Sequence, residues 1–346
     1  MRPREVPLEP RAAVADLLRG RARVVGSRTA VGRHDLGLEP GLISPYEVRV
    51  ALGLRYGDPP IEEARYERGR TRFGDAGTVL RWAVARLFAS SERSDVPVRP
   101  FIVATRVDPV DTLDALERIQ DWLRHGKSGV VFFVHPHALN LASSDATLRR
   151  DLACADLVLP DGVGLRVAAT LLRTPLPANV NGTDLVPELL LELAADHVPI
   201  ALIGGAPGVT KKAAEAWRRV APFELLGTWD GFQTPEVYEE VMAEIERRAP
   251  CLVLVGFGTP LQERFVMRHL AGRRGVVAMT VGGLFDFASG DKPRAPLAWR
   301  ELGIEWVWRL VHEPRRLGGR YLIGNPEFVF RALLQRVRGT GDGPML

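Results

Sequence analysis

Cysteine is scarce, with two in 346 residues, Cys154 and Cys251. They do not form a Cys-x-x-Cys pair, so the commonest zinc and dithiol arrangements are excluded, and a reducing compartment is permitted. Both stand among apolar neighbours, where buried structural thiols are expected. No uninterrupted apolar run approaches the roughly 18 residues of a membrane-spanning helix. The basic stretch 1–33 has no apolar core of the kind a secretory signal needs. Net charge is also small, at +4, and residues 291–346 alone carry ten Lys/Arg against six Asp/Glu. The whole excess therefore lies at the C-terminal end. That distribution fits a local anionic partner and argues against a nucleic-acid-binding body.

What the chain does have is alternation. Apolar runs at Val130–Val134, Leu157–Leu159, Pro199–Ile203, Glu224–Gly227, Cys251–Val255 and Val276–Val281 read as buried strands, with helical spacing between them. The pattern predicts an α/β fold, a Rossmann-like parallel sheet with helices on both faces. A C-terminal helical appendage follows. The expected division is an N-terminal extension (1–108), a catalytic α/β domain (109–290) and a basic helical appendage (291–346). A composition change near Asp108 marks the first boundary.

In such a sheet, ligands bind beyond the carboxyl ends of the strands. Two neighbouring strands end there in His135-Pro136-His137 and in Pro160-Asp161-Gly162. Asp161 has two readings: a turn residue in a common Pro-Asp-Gly turn, or a general base held at a strand end. Asn181-Gly182-Thr183-Asp184 opens a helix with an evident cap. Gly204-Gly205 follow another strand in a glycine-rich turn, an arrangement that lets backbone N–H groups meet a phosphate. Gly256-Phe257-Gly258-Thr259-Pro260 leads into Gln262-Glu263. The G-x-G-x-x-G pattern is absent, so the signal for a dinucleotide is weak.

The C-terminal part interleaves Trp299, Leu302, Trp306 and Leu310 with Arg300 and Arg309, then adds Arg315, Arg316 and Arg320 and an amphipathic stretch, Phe328–Val337. Ordinary packing accounts for the tryptophans. An arginine cluster gripping a diphosphate, on helices whose apolar side also meets a bilayer surface, is compatible with it. On that reading Trp299, Leu317 and Phe328–Val337 face lipid, and a chain ended near Asp291 still folds.

Taken together, residues from about 108 to 334 resemble the WecG/TagA/CpsF family of bacterial glycosyltransferases. The matching segments are Leu159-Pro-Asp-Gly-Val-Gly164, Gly182-Thr-Asp-Leu185, Ile203-Gly-Gly-Ala-Pro-Gly208 and Val255-Gly-Phe-Gly-Thr-Pro-Leu-Gln-Glu263. Val281-Gly-Gly-Leu-Phe-Asp286, Arg294-Ala-Pro296, Glu305-Trp-Val-Trp-Arg-Leu310 and Glu313-Pro-Arg-Arg-Leu317 follow in family order. The resemblance implies an inverting, metal-independent transferase with no cofactor. It would move an N-acetylmannosamine-type sugar from a UDP-sugar donor to an undecaprenyl-diphosphate-linked GlcNAc, a polyprenyl-diphosphate-linked acceptor. It implies Asp161 as the base, Gln262 as a nucleotide contact, and Arg309, Arg316 and Arg320 as diphosphate ligands. His135, His137, Asp184, Gly204, Gly205 and Glu263 complete the expected substrate-binding set.

Cytoplasmic localisation, with peripheral attachment to the inner face of the membrane, is the expected setting. A homo-oligomer stays open, and nucleic acid is not an expected partner. Without an Asp-x-Asp in 109–290, the arginines are the expected counter-charge for a diphosphate. Three departures stand out: His135-Pro136-His137 where the family usually has Thr-x-Asn, Asn179 where an Arg is common, and Gly318-Gly319 in place of a bulky residue and a further Arg. The alternatives are a nucleotide-dependent oxidoreductase and a catalytically inactive nucleotide-sugar-binding protein. Farther upstream, Pro40-Gly41-Leu42, Tyr66 and Asp75 faintly resemble the tail of polyprenol-phosphate sugar-1-phosphate transferases.

Overall fold

The computed structural model describes residues 23–27, 40–51, 59–88, 99–174, 176–296, 299–300 and 304–339. Most of the basic leader read over 1–33 lies outside them, as does Leu302. By its contacts the chain separates into two compact units, 1–91 with 296–305, and 92–295 with 306–346. The division thus falls ahead of Asp108. The residues just before Asp108 belong to the second unit, where Ile102 and Val107 are fully buried.

The first unit contains two short parallel strands, β1 (Arg23–Val25) and β2 (Gly41–Ile43), and helices α1 (Pro45–Ala51), α2 (Pro59–Arg68) and α3 (Arg72–Phe88). The hydroxyls of Ser27 and Ser44 both donate to the buried carboxylate of Glu63. Asp75 accepts from the Tyr66 hydroxyl at 2.9 Å and from the Arg70 guanidinium, which holds its carboxyl below the usual range.

The second unit opens with a hairpin, β3 (Phe101–Ile102) and β4 (Thr105–Arg106), and helix α4 (Thr112–Arg124). A reciprocal cap between Asp111 and Asp114 starts that helix. Six parallel strands follow: β5 (Gly129–Val134), β6 (Leu157–Pro160), β7 (Ile200–Gly204), β8 (Leu225–Trp229), β9 (Cys251–Gly256) and β10 (Val276–Thr280). Their order across the sheet is β6-β5-β10-β9-β7-β8. Between them run α5 (Pro136–Ser144), α6 (Ala146–Ala153), α7 (Val163–Leu172), α8 (Gly182–Ala195), α9 (Val209–Arg218), α10 (Pro235–Arg247) and α11 (Leu261–His269). After the last strand come α12 (Leu284–Ala288), α13 (Glu305–His312), α14 (Pro314–Gly318), a π-helical turn (Gly319–Ile323) and α15 (Gly324–Arg338).

The strands are apolar on both faces because each face has its own helical layer. Val130, Phe132 and Val134 of β5 pack with Leu139, Leu165, Val266 and Phe328 on one side. Val131 and Phe133 pack with Leu116, Leu185, Leu189 and Phe285 on the other. The chain leaves β7 through α9 on the second face toward β8, and leaves β9 through α11 on the first face toward β10. Adjacent strands whose connections depart in opposite directions define a topological switch point, where such sheets open a crevice. There Gly204 lies so close to its neighbour that an added Cβ would stand 2.4 Å from the Gly256 carbonyl oxygen.

Three expectations change. Cys251 is buried, but Cys154 is exposed, because it caps the C-terminal end of α6 instead of entering the core. Leu317 and Phe328 do not face outward: they are 5% and 0% exposed, and Phe328 lies in the same cluster as the sheet. The last helix is also tied down by hydrogen bonds from Asn140 to the Gly324 carbonyl (2.7 Å) and from Gln335 to the Phe101 carbonyl (2.8 Å). A chain ended near Asp291 would therefore expose one side of the core. Removing a large buried aromatic such as Phe328 alone costs about 3–5 kcal/mol.

Asp184, Glu188 and Glu192 are spaced four residues apart along α8, so their charges stack on one face. Burial first, then these two neighbours, push the Glu188 carboxyl up to about 7. The folded chain thus binds a proton that the unfolded chain releases above its ordinary value of 4.5, and stability falls as pH rises from there through about 7. Glu188→Gln should stabilise the protein at pH 8 by about 1–2 kcal/mol after discounting for its partial exposure. That corresponds to a Tm gain of about 2–8 °C. At pH 4 the melting temperatures should coincide, and equal values at both pH values would refute the shift.

Candidate active site

The predicted residues gather along the carboxyl edge of the sheet. From one side to the other it carries Asp161 (after β6), His135 and His137 (after β5), Gly282 (after β10), Thr259 and Gln262 (after β9), and Gly204 and Gly205 (at the end of β7). With neighbouring strands 4.7–4.9 Å apart, Asp161 and Gly205 lie about 19 Å from each other along this rim. They are not one cluster.

Asp161 is set by its backbone. Its N–H donates to the Val134 carbonyl at 2.8 Å, extending the β5–β6 pairing by one residue. The next N–H, of Gly162, donates to the Asn179 side-chain oxygen at 2.6 Å. Asn179, one of the departures noted above, thus clamps the turn that presents Asp161. Gly164 allows α7 to start close by: a Cβ there would meet the Pro136 ring at 2.4 Å.

His135 is the N-cap of α5, its Nδ1 accepting the Ala138 N–H at 3.0 Å. Its ring stacks beside that of His137, with centroids 6.1 Å apart. Burial and the neighbouring Arg320 cation hold both imidazoles below the ordinary histidine value, His135 well below it. Both rings are therefore neutral at pH 7.

Arg320 reaches this spot from the π-helical turn, a feature frequent at functional sites. Its guanidinium lies 2.9 Å from His135 Nε2, and its buried Nε has no hydrogen-bond partner among the described residues. Burial pulls its proton affinity down, as do Arg309 and Arg316, while Tyr321 and Asp161 support its charge. The carboxylate and the cation thus act on one another across the rim. Arg309 sits over the Phe287 ring at 4.7 Å. Arg316 is different: its side chain is 63% exposed and pairs with Glu313.

Other predicted residues serve the frame. Gln262 is buried, its oxygen accepting the Gly282 N–H at 3.0 Å and its amide donating to Glu263 at 2.9 Å. Glu263 is buried too, also accepts from Thr259 at 2.9 Å, and is pushed up by desolvation. Both side chains are thus engaged in hydrogen bonds that join the end of β9 to the turn after β10. The carboxylate of Asp184 accepts from Asn181 at 2.9 Å and from Arg294, tying the start of α8 to the segment after α12. The Gly205 N–H donates to the Gly256 carbonyl at 3.0 Å, so it is already spent within the crevice. Among the described residues, no helix is long and apolar enough to cross a membrane.

A doubly covered parallel sheet, with a carboxylate and an arginine at its carboxyl edge, places the chain among α/β proteins whose ligands meet the strand ends. Residues 101–342 match the glycosyl transferase WecG/TagA/CpsF family model, and the chain belongs to that family. It is a glycosyltransferase of cell-surface polysaccharide synthesis, a class that takes a nucleotide-sugar donor and a lipid-linked acceptor. Membership answers the oxidoreductase alternative. Sequence reasoning missed the part played by Asn179 and the linkage of Arg294 to Asp184. The only trace of the first was its departure from the family pattern.

Proposed function

We propose that the chain transfers an N-acetylmannosamine-type sugar, with inversion, from UDP to an undecaprenyl-diphosphate-linked GlcNAc at the inner face of the cell membrane. What supports this reading is the family match over residues 101–342, together with Asp161 and the His135–Arg320 pair at the carboxyl ends of neighbouring strands. A hydroxyl of the acceptor GlcNAc attacks the anomeric carbon, and its proton passes to the Asp161 carboxylate. The bond from that carbon to the UDP oxygen breaks, and its electron pair leaves with UDP. Arg320, together with Arg309, meets the charge that develops on the diphosphate, as fixed positive groups do best in a partly dehydrated site. The test is a UDP-release assay with a panel of UDP-sugars on a lipid-diphosphate-GlcNAc analogue. Release confined to UDP-N-acetylmannosamine is expected. Release with another UDP-sugar alone would overturn the sugar assignment.

Membrane attachment draws on a second surface. Leu322, Ile323, Phe330 and Val337 are 63%, 69%, 60% and 84% exposed, and Arg315, Arg336 and Arg338 are exposed nearby in sequence. Such a mixture suits an anionic bilayer surface. The double variant Leu322→Asp/Ile323→Asp should lose most binding to phosphatidylglycerol vesicles in a sedimentation assay while keeping its melting temperature. Undiminished sedimentation would remove this surface from the proposal.

A further inference from the structure

The contacts of His135 cannot all be hydrogen bonds. Nδ1 lies 3.0 Å from the backbone nitrogen of Ala138, and Nε2 lies 2.9 Å from a guanidinium nitrogen of Arg320. Both neighbours can only donate. A neutral imidazole accepts at one nitrogen, and an imidazolium at neither. One of the two approaches is therefore between donors.

The N-cap bond is the one the fold retains. Ala138 is 1% exposed, and leaving its N–H without an acceptor would cost about 1–3 kcal/mol. Arg320, by contrast, is a long side chain on a short π-helical turn. The ring proton then belongs on Nε2, so that Nε2–H and a guanidinium N–H meet with no acceptor between them. Nearby charge sharpens the mismatch. Arg309 adds to the cationic field at His135, and Arg309 and Arg316 add to that at Arg320. Asp161, by contrast, supports the charge of Arg320.

We propose that His135, as its Nε2–H tautomer, and Arg320 close together on one phosphoryl oxygen of a substrate diphosphate, beside Asp161. The oxygen supplies the acceptor that the two donors lack, and each then makes a hydrogen bond to an anion. On this assignment His135 is a substrate-binding residue, and the neutral ring keeps α5 capped while it donates. The inference rests on the reading above that the substrates carry diphosphates. Both the nucleotide donor and the lipid-linked acceptor do.

Two measurements on the full chain test it, and neither needs turnover. Long-range ¹H–¹⁵N spectra of histidine-labelled protein at pH 7 should find His135 in the Nε2–H form, with Nε2 shifting on addition of diphosphate and Nδ1 unmoved. An Nδ1–H tautomer would overturn the proposal. Calorimetry then compares wild type with His135→Asn, in which the shorter amide can still cap α5 but does not extend to the phosphate.

UDP and geranyl diphosphate serve as the two probes. The Kd for one of them should rise about tenfold, the loss expected for one hydrogen bond to a charged group, with Tm unchanged. Loss for UDP alone assigns the oxygen to the nucleotide donor, and loss for geranyl diphosphate alone assigns it to the lipid acceptor. Unchanged affinity for both, or a wild type that binds neither, overturns the site. A site that passes both measurements in a protein that releases no UDP from any UDP-sugar would instead refute the proposed reaction.

Discussion

Asp161→Asn should lower kcat by roughly 10²–10⁴, the usual worth of a general base, while UDP affinity holds or tightens. The substitution is nearly isosteric, and the structural reasons to expect an undisturbed turn are backbone ones. The N–H of residue 161 still bonds the Val134 carbonyl, and the Gly162 N–H still bonds Asn179. What disappears is the basic oxygen and the negative charge that supports Arg320. A catalytic base should therefore show its loss in kcat, with UDP binding by calorimetry equal to wild type or slightly tighter, because Arg320 has lost a competitor for anions. Near-normal turnover would return Asp161 to the other reading of Pro-Asp-Gly, a turn residue. Loss of UDP binding together with kcat would mean that the carboxylate holds the rim in shape.

Most of the sheet was legible because five of its six strands are short apolar runs with a glycine or proline at or within two residues of their ends, a strictly local signal, whereas β8, Leu225–Trp229, is less apolar and was read as Glu224–Gly227. Val130–Val134 and Cys251–Val255 were read within one residue of their observed ends, Gly129–Val134 and Cys251–Gly256. Long-range relations were not legible. Arg320 meets His135 from 185 positions away, and nothing near either residue in sequence signals the other. Glycine-rich turns are hard to read for a related reason. The Gly205 N–H looks available to a phosphate until the sheet order brings Gly256 beside it. The last helix shows the limit of amphipathic patterns. Phe328 and Ala332, one turn apart, face the core, whereas Phe330, Leu333 and Val337 share the outer side. A helix with two apolar faces reads in sequence as having one.

The arginines can be ranked by the same logic. Three were predicted as equivalent, but their settings differ. Arg316 is exposed and paired with Glu313, Arg309 lies over an aromatic ring, and Arg320 is partly buried at the rim, its Nε without a hydrogen-bond partner among the described residues. A guanidinium presents forked donors in a fixed plane, which lysine does not reproduce despite its charge. An interaction held in place before the reaction is also worth more than one that must be assembled. Arg320→Lys should therefore reduce kcat/KM by about 10²–10³, comparable to removing a preorganised donor from an oxyanion site. Arg316→Lys should fall within about threefold of wild type, since an exposed pair contributes about 0–1 kcal/mol. Side-by-side UDP-release kinetics at low and high salt separate the cases: the Arg320 defect should persist at 0.5 M salt, where the Debye length falls to about 4 Å. Equal losses for the two variants would mean that α14 and the π-helical turn close over the substrate as a unit, bringing Arg316 in as well. A fully active Arg320→Lys enzyme would leave charge alone, without the forked geometry, as the requirement at this rim.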